Sequence, residues 1–134
     1  MCSVPSYGIR QTDLAETMRT VQAGEYTGFG ASFAWSNIER YIGKTITDVN
    51  DEALILASPV HYISEDMPPI LLQHGNADNI CPMDQSQRFY QAAVGTADAE
   101  RVSMDILDGA GHGDAAFETE ENMERVRAFL DENF

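Results

Sequence analysis

Pro68-Pro69 leads into Ile70-Leu71-Leu72, and His74-Gly75 closes the run. Consecutive apolar residues bounded in this way suit a strand covered on both faces, which is the situation of a strand inside a parallel sheet. The segments that follow agree. Pro82, Asp84 and Gln87 open a helical pattern through Phe89, Tyr90, Ala93 and Val94 that stops at Gly95. Val102, Met104 and Ile106 then alternate along 102–107 as a second strand. A β-loop-α-β order predicts parallel strands joined by a crossover helix, with helices on both sheet faces. A last helix is predicted near 118–132, with Glu118, Glu120 and Glu121 around its positive end and Met123, Val126 and Leu130 on its buried side.

The N-terminal half reads as short helices. Asp13 with Glu16 forms a capping box before Leu14, Met18 and Val21. Ser36 with Glu39 repeats the pattern ahead of Ile38, Tyr41 and Ile42, and Gly43 stops it. Asn50 is the expected cap of a third helix that Ser58-Pro59 breaks. Residues 2–7 are β-compatible, and neither a repeat nor a linker divides the 134 residues, so one domain is expected.

Charge removes some function classes. Eight Lys and Arg against 22 Asp and Glu leave a net −14, which speaks against a basic face for nucleic acid or an anionic membrane. No apolar run approaches the ~20 residues of a membrane span and no leader is visible, so a cytoplasmic location is expected. Cys2 and Cys81 suggest neither a disulfide framework nor zinc spacing.

In open parallel sheets ligands bind beyond the carboxyl ends of the strands, so chemistry is sought after Leu72 and after Leu107. Asp78 lies in the first loop and His112, between Gly111 and Gly113, in the second. Neighbouring strands would bring them together. The carboxylate could then accept the imidazole Nδ1 proton and leave Nε2 as a general base. A metal site built from His74, Asp78, His112 and Asp114 is chemically conceivable, but these residues suit a carboxylate–imidazole pair better, so no metal and no cofactor is expected.

Ala57-Ser58-Pro59, the string Pro68-Pro69-Ile70-Leu71-Leu72-Gln73-His74-Gly75-Asn76-Ala77-Asp78, then Cys81-Pro82, Gln85-Ser86 and Gly109-Ala110-Gly111-His112-Gly113 carry a resemblance. The chain resembles the C-terminal part of α/β-hydrolase-fold esterases and lipases, close to the feruloyl-esterase-like and prolyl-oligopeptidase-like branch. The resemblance implies that Asp78 is the triad acid and His112 the triad base, that residues 2–7 are the preceding strand, and that residues 12–58 are a helical excursion over the active-site side.

The nucleophile of that family sits in a Gly-x-Ser-x-Gly elbow, which this chain does not contain. Gly28-Phe29-Gly30-Ala31-Ser32 puts its serine after the second glycine, Ser36 reads as a helix cap, and Cys81 sits in the acid loop rather than in an elbow of its own. His74 reads as a structural hydrogen-bonding residue, and His61 as structural or exposed.

The expected fold is therefore a truncated three-layer α/β/α sandwich with a short parallel sheet, a single partial domain over 1–134. The expected function is that of the C-terminal part of a carboxylic-ester serine hydrolase of carboxylesterase or lipase type, inert or weakly active alone. The alternative is a non-catalytic oligomerising or interaction module. A small-molecule ester is the expected substrate once a nucleophile-bearing half completes the site. A sheet edge left open would favour a homo-oligomer.

Overall fold

The computed structural model describes residues 13–96 and 99–134. The strand expected at 2–7 lies outside them. Strand β1 (Ile70–Gly75) pairs in parallel with β2 (Val102–Leu107), in a register that sets Ile70 opposite Val102 and Gly75 opposite Leu107. Helix α4 (Met83–Thr96) makes the connection between them.

Alternation along β1 divides its apolar run between two helices. Ile70 and Leu72 join Met67, Phe89, Ala93 and Val102 in a cluster under α4, whereas Leu71 packs on Val126 and Phe129 of α5 (Glu120–Asn133). The result is the α/β/α layering expected from the uninterrupted Ile-Leu-Leu run. The covered side of α5 differs from the expected one. Val126 and Phe129 are buried, while Met123 and Leu130 are 48% and 37% exposed. Polar contacts explain the rotation: Asn122 exchanges hydrogen bonds with Gln73 of β1 at 2.7 and 3.1 Å, and Arg125 pairs with Asp105 of β2 at 3.2 Å. These fix the stripe through 122, 126 and 129 against the sheet. Along β2, cover by α4 fades, from a buried Val102 to an exposed Ile106.

Residues 13–58 form α1 (Leu14–Gln22), α2 (Gly28–Ile42) and α3 (Glu52–Ala57), which share a core of Leu14, Met18, Ile38, Ile46 and Leu54. Asp13 caps α1 by accepting from the Glu16 amide at 3.0 Å, but the reciprocal half of the capping box does not form. The Asp13 amide instead donates to buried Gln85 of α4 at 2.9 Å, and Glu16 pairs with Arg88 of α4 at 3.0 Å. Tertiary partners have replaced the local one. Ser58 ties α1 to α3, accepting from the Leu14 amide at 2.9 Å and donating to the Leu54 carbonyl at 2.6 Å.

Two helix starts differ from expectation. Helix α2 begins at Gly28, so Ser36 lies in mid-helix and caps nothing. Glycine-rich sequence disfavours a first turn by up to ~1 kcal/mol per residue, yet Gly30 is where this helix meets the loop after β1, and packing outweighs propensity. Asp51 rather than Asn50 caps α3, accepting from the Ala53 amide at 2.9 Å, because Asn50 is held by Asp48.

Leu71 is the apolar side chain of β1 that packs on α5, so Leu71→Ala is expected to destabilise the fold by about 2–5 kcal/mol in urea unfolding. A loss below ~1 kcal/mol would show that α5 is held by its polar contacts instead.

Candidate active site

Because β1 and β2 run in parallel and in register, the chain leaves both strands at the same edge of the sheet. The two loops that follow are interlocked. The Asn76 amide donates to the Leu107 carbonyl at 3.2 Å and the Ala77 amide to the Ala110 carbonyl at 3.0 Å. The Asn76 side chain adds two more links, donating to Asp108 and accepting from the Gly109 amide, both at 2.7 Å. This closeness requires glycine at 75. A Cβ there would stand 2.2 Å from the Ala110 carbonyl oxygen. Gly109 supplies the positive φ, +71°, that turns the second loop back toward the first.

The interlocked loops bring Asp78 and His112 together, 34 residues apart in sequence, with His112 Nδ1 2.8 Å from Asp78 Oδ2. The carboxylate side chain is 8% exposed and the imidazole 22%. Asp78 Oδ1 accepts from the amides of Ile80 and Cys81 at 2.9 and 2.8 Å. Burial pushes the Asp78 carboxyl upward, but the Cys81 and Ile80 amides and the His112 hydrogen bond outweigh it, so its pKa lies below the ordinary carboxylate value. An ionised carboxylate accepts, so His112 donates from Nδ1 and its Nε2 is left as the basic nitrogen. Among the described residues no hydrogen bond is made to that Nε2.

The helical segment supports the acid loop from the other side. The Tyr26 hydroxyl donates to the Ile80 carbonyl. Burial first, then the charges of Cys81 and Asp78, push the Tyr26 phenol up to about 12, so it stays a donor. Gly30 of α2 allows the helix to touch the loop, since a Cβ there would stand 2.4 Å from the Asn79 carbonyl oxygen. Cys81 is buried, 2% exposed, within the same loop. His74 is buried under the loop and hydrogen-bonded through both ring nitrogens, while His61 is exposed in the turn over Pro59–Tyr62.

Among the described residues no serine is hydrogen-bonded to His112. Ser32 and Ser36 are exposed on α2, and neither is hydrogen-bonded to His112. Ser86 lies 2.7 Å from His74 Nδ1, yet both side chains are buried, and the other ring nitrogen of His74 addresses the Cys81 carbonyl rather than a carboxylate. Two cavities adjoin the helical segment, of about 470 Å³ beside Gly28, Ala31 and Trp35 and about 290 Å³ beside Thr17 and Gln85. Tyr26 lines both; Asp78 and His112 line neither.

The BD-FAE family model matches residues 4–93, a span that includes Asp78. The chain belongs to the BD-FAE family. Among characterised relatives it is 30% identical to esterase LipC of Mycobacterium tuberculosis over 57% of this chain and 19% of that protein. To esterase LipQ of the same organism it is 27% identical over 82% of this chain and 23% of that protein. A solved structure, a thermophilic esterase of the planctomycete Thermogutta terrifontis, superposes with a TM-score of 0.48 at 25% identity, covering 66% of this chain and 34% of that one. The chain therefore spans about a fifth of the length of the curated esterases it matches. As a BD-FAE chain it is of α/β-hydrolase esterase lineage, and its sequence covers part of such a protein.

Sequence reasoning singled out Asp78 and His112 but missed what positions them. Gly75 and Asn76 carried a usable signal, since a glycine and an asparagine directly after a strand mark a turn where backbones can meet. Tyr26 and Gly30 carried none, because their partner is some 50 residues away.

A pKa lowered on folding stabilises the native state above the ordinary carboxylate value, and that stability is lost as pH falls through the lower folded value. Wild-type protein is therefore expected to lose stability below about pH 4, and Asp78→Asn to show a flatter acid limb in urea unfolding across that range. Equal limbs would mean that Asp78 gains nothing from its partners. Gly75→Ala is expected to separate the loops and lower the melting temperature. An unchanged melting temperature would contradict the close approach.

Proposed function

We propose that this chain supplies the acid and base of a carboxylic-ester hydrolase and depends on a serine held elsewhere. The observation that carries the reading is the Asp78–His112 contact of 2.8 Å, with Nε2 left without a hydrogen-bond partner among the described residues. In that arrangement Nε2 takes the proton from a serine hydroxyl as it attacks the ester carbonyl. Asp78 holds the ring in the Nδ1–H tautomer and stabilises the imidazolium that forms. His112 then returns the proton to the leaving alkoxide, and the same cycle with water releases the acid.

Family membership supports the ester class, since the relatives LipC and LipQ are esterases. The missing elbow pentapeptide supports dependence on a second segment of chain, which would also bring the oxyanion donors. His112 side-chain exposure is enough for such a segment to reach the ring.

Two assays test this. The isolated chain is expected to hydrolyse p-nitrophenyl butyrate no faster than an equal concentration of free imidazole. Placed in LipQ in exchange for the matching segment, it is expected to support turnover that falls about 10⁴-fold in Asp78→Asn and at least as far in His112→Ala. A folded chimera whose turnover is indifferent to both substitutions would refute the assignment.

A further inference from the structure

One buried constellation is not used by the acid–base pair. His74 stands at the carboxyl end of β1 and Ser86 on α4, each 8% exposed. His74 Nε2 lies 2.9 Å from the Cys81 carbonyl oxygen, which can only accept, so Nε2 carries the proton. Nδ1 is then the acceptor for the Ser86 hydroxyl at 2.7 Å. The same Nε2–H lies 3.6 Å from Asp78 Oδ2, the oxygen that receives the proton-bearing nitrogen of His112. That distance is too long for a hydrogen bond, yet it sets a positive dipole beside a carboxylate in a site of low dielectric. Two histidines in opposite tautomers thus face one carboxylate oxygen.

We propose that His74 is a positioning residue for Asp78; the proposal rests on the acid–base reading of Asp78 and His112. Asp78 sits in a loop, and its aim depends on that loop. His74 belongs to the sheet. Its Nε2–H holds Cys81 by the carbonyl, and the Cys81 amide in turn holds Asp78 Oδ1 at 2.8 Å. With Oδ1 fixed, Oδ2 points at His112. Ser86 fixes the ring from behind, which connects α4 to the same chain of contacts. Removing His74 would leave the fold's apolar clusters in place but free the loop to turn, so His112 would lose the acceptor that selects its tautomer.

The ring tautomers are read by long-range ¹H–¹⁵N NMR at a pH where both imidazoles are neutral. In the wild-type chain His112 is expected as Nδ1–H, with a pyridine-like Nε2 signal, and His74 as Nε2–H. His74→Leu is expected to abolish the pyridine-like Nε2 signal of His112, and so is Asp78→Ala. His74→Gln, whose amide can donate from near the Nε2 position, is expected to restore it. If His74→Leu folds and leaves the His112 signal as in wild type, His74 is only a packed core residue and the proposal fails. Should His74→Leu not fold, Ser86→Ala decides in the same way, with partial loss of the signal expected and an unchanged signal overturning the proposal. An Asp78→Ala chain that keeps His112 as Nδ1–H would instead sink the acid–base reading itself.

Discussion

The hydrogen bond between Asp78 and His112 depends on a sheet register. Gly75 opposite Leu107 brings two loops out of the sheet side by side, and the Asn76 side chain closes them with one donated and one accepted bond. A slip of one residue would turn every side chain of β1 to the other face, burying Gln73 where Leu72 belongs and carrying Asp78 away from His112. The division of Ile70, Leu71 and Leu72 between α4 and α5 prevents that slip, because each neighbour is covered by a different helix. Packing in the middle of the sheet thereby fixes the geometry of a polar contact at its edge.

The second constraint comes from the helical segment. Contacts from the helical segment to the α/β layers include Asp13 on Gln85, Glu16 on Arg88, Tyr26 on the Ile80 carbonyl and Gly30 against Asn79, which reach α4 and the loop that holds Asp78. The loop that holds Asp78 is therefore bounded by the sheet on one side and by α2 on the other. A carboxylate carried on a loop needs such support to stay aimed at its partner. Asp78 is consequently the better anchored member of the pair, with amide donors on one oxygen and imidazole on the other, whereas the His112 ring is more exposed.

Much of this was legible from residue order. The run Ile70-Leu71-Leu72 announced a strand covered on both faces, and the strand at 102–107 matched its expected bounds. The loops after the strands announced where ionisable groups could meet. What was hidden depended on partners distant in sequence. The face of α5 that is buried follows from Gln73 and Asp105 as much as from its own apolar residues, so periodicity alone chose Met123 and Leu130 in place of Phe129. The start of α2 was hidden because glycine at 28 and 30 reads as a breaker, whereas Gly30 is there to let backbone meet backbone. Glu16 was read as a local cap partner and is instead a link to Arg88.

The central claim is that Asp78 and His112 act as a coupled pair held by the fold. A double-mutant cycle in urea unfolding at neutral pH, with Asp78→Ala, His112→Ala and the double variant, measures that coupling most directly. The account predicts a favourable interaction energy of about 0.5–3 kcal/mol between the two positions. Losses that add to within ~0.3 kcal/mol would mean that the two side chains are neighbours without being partners, and would contradict it.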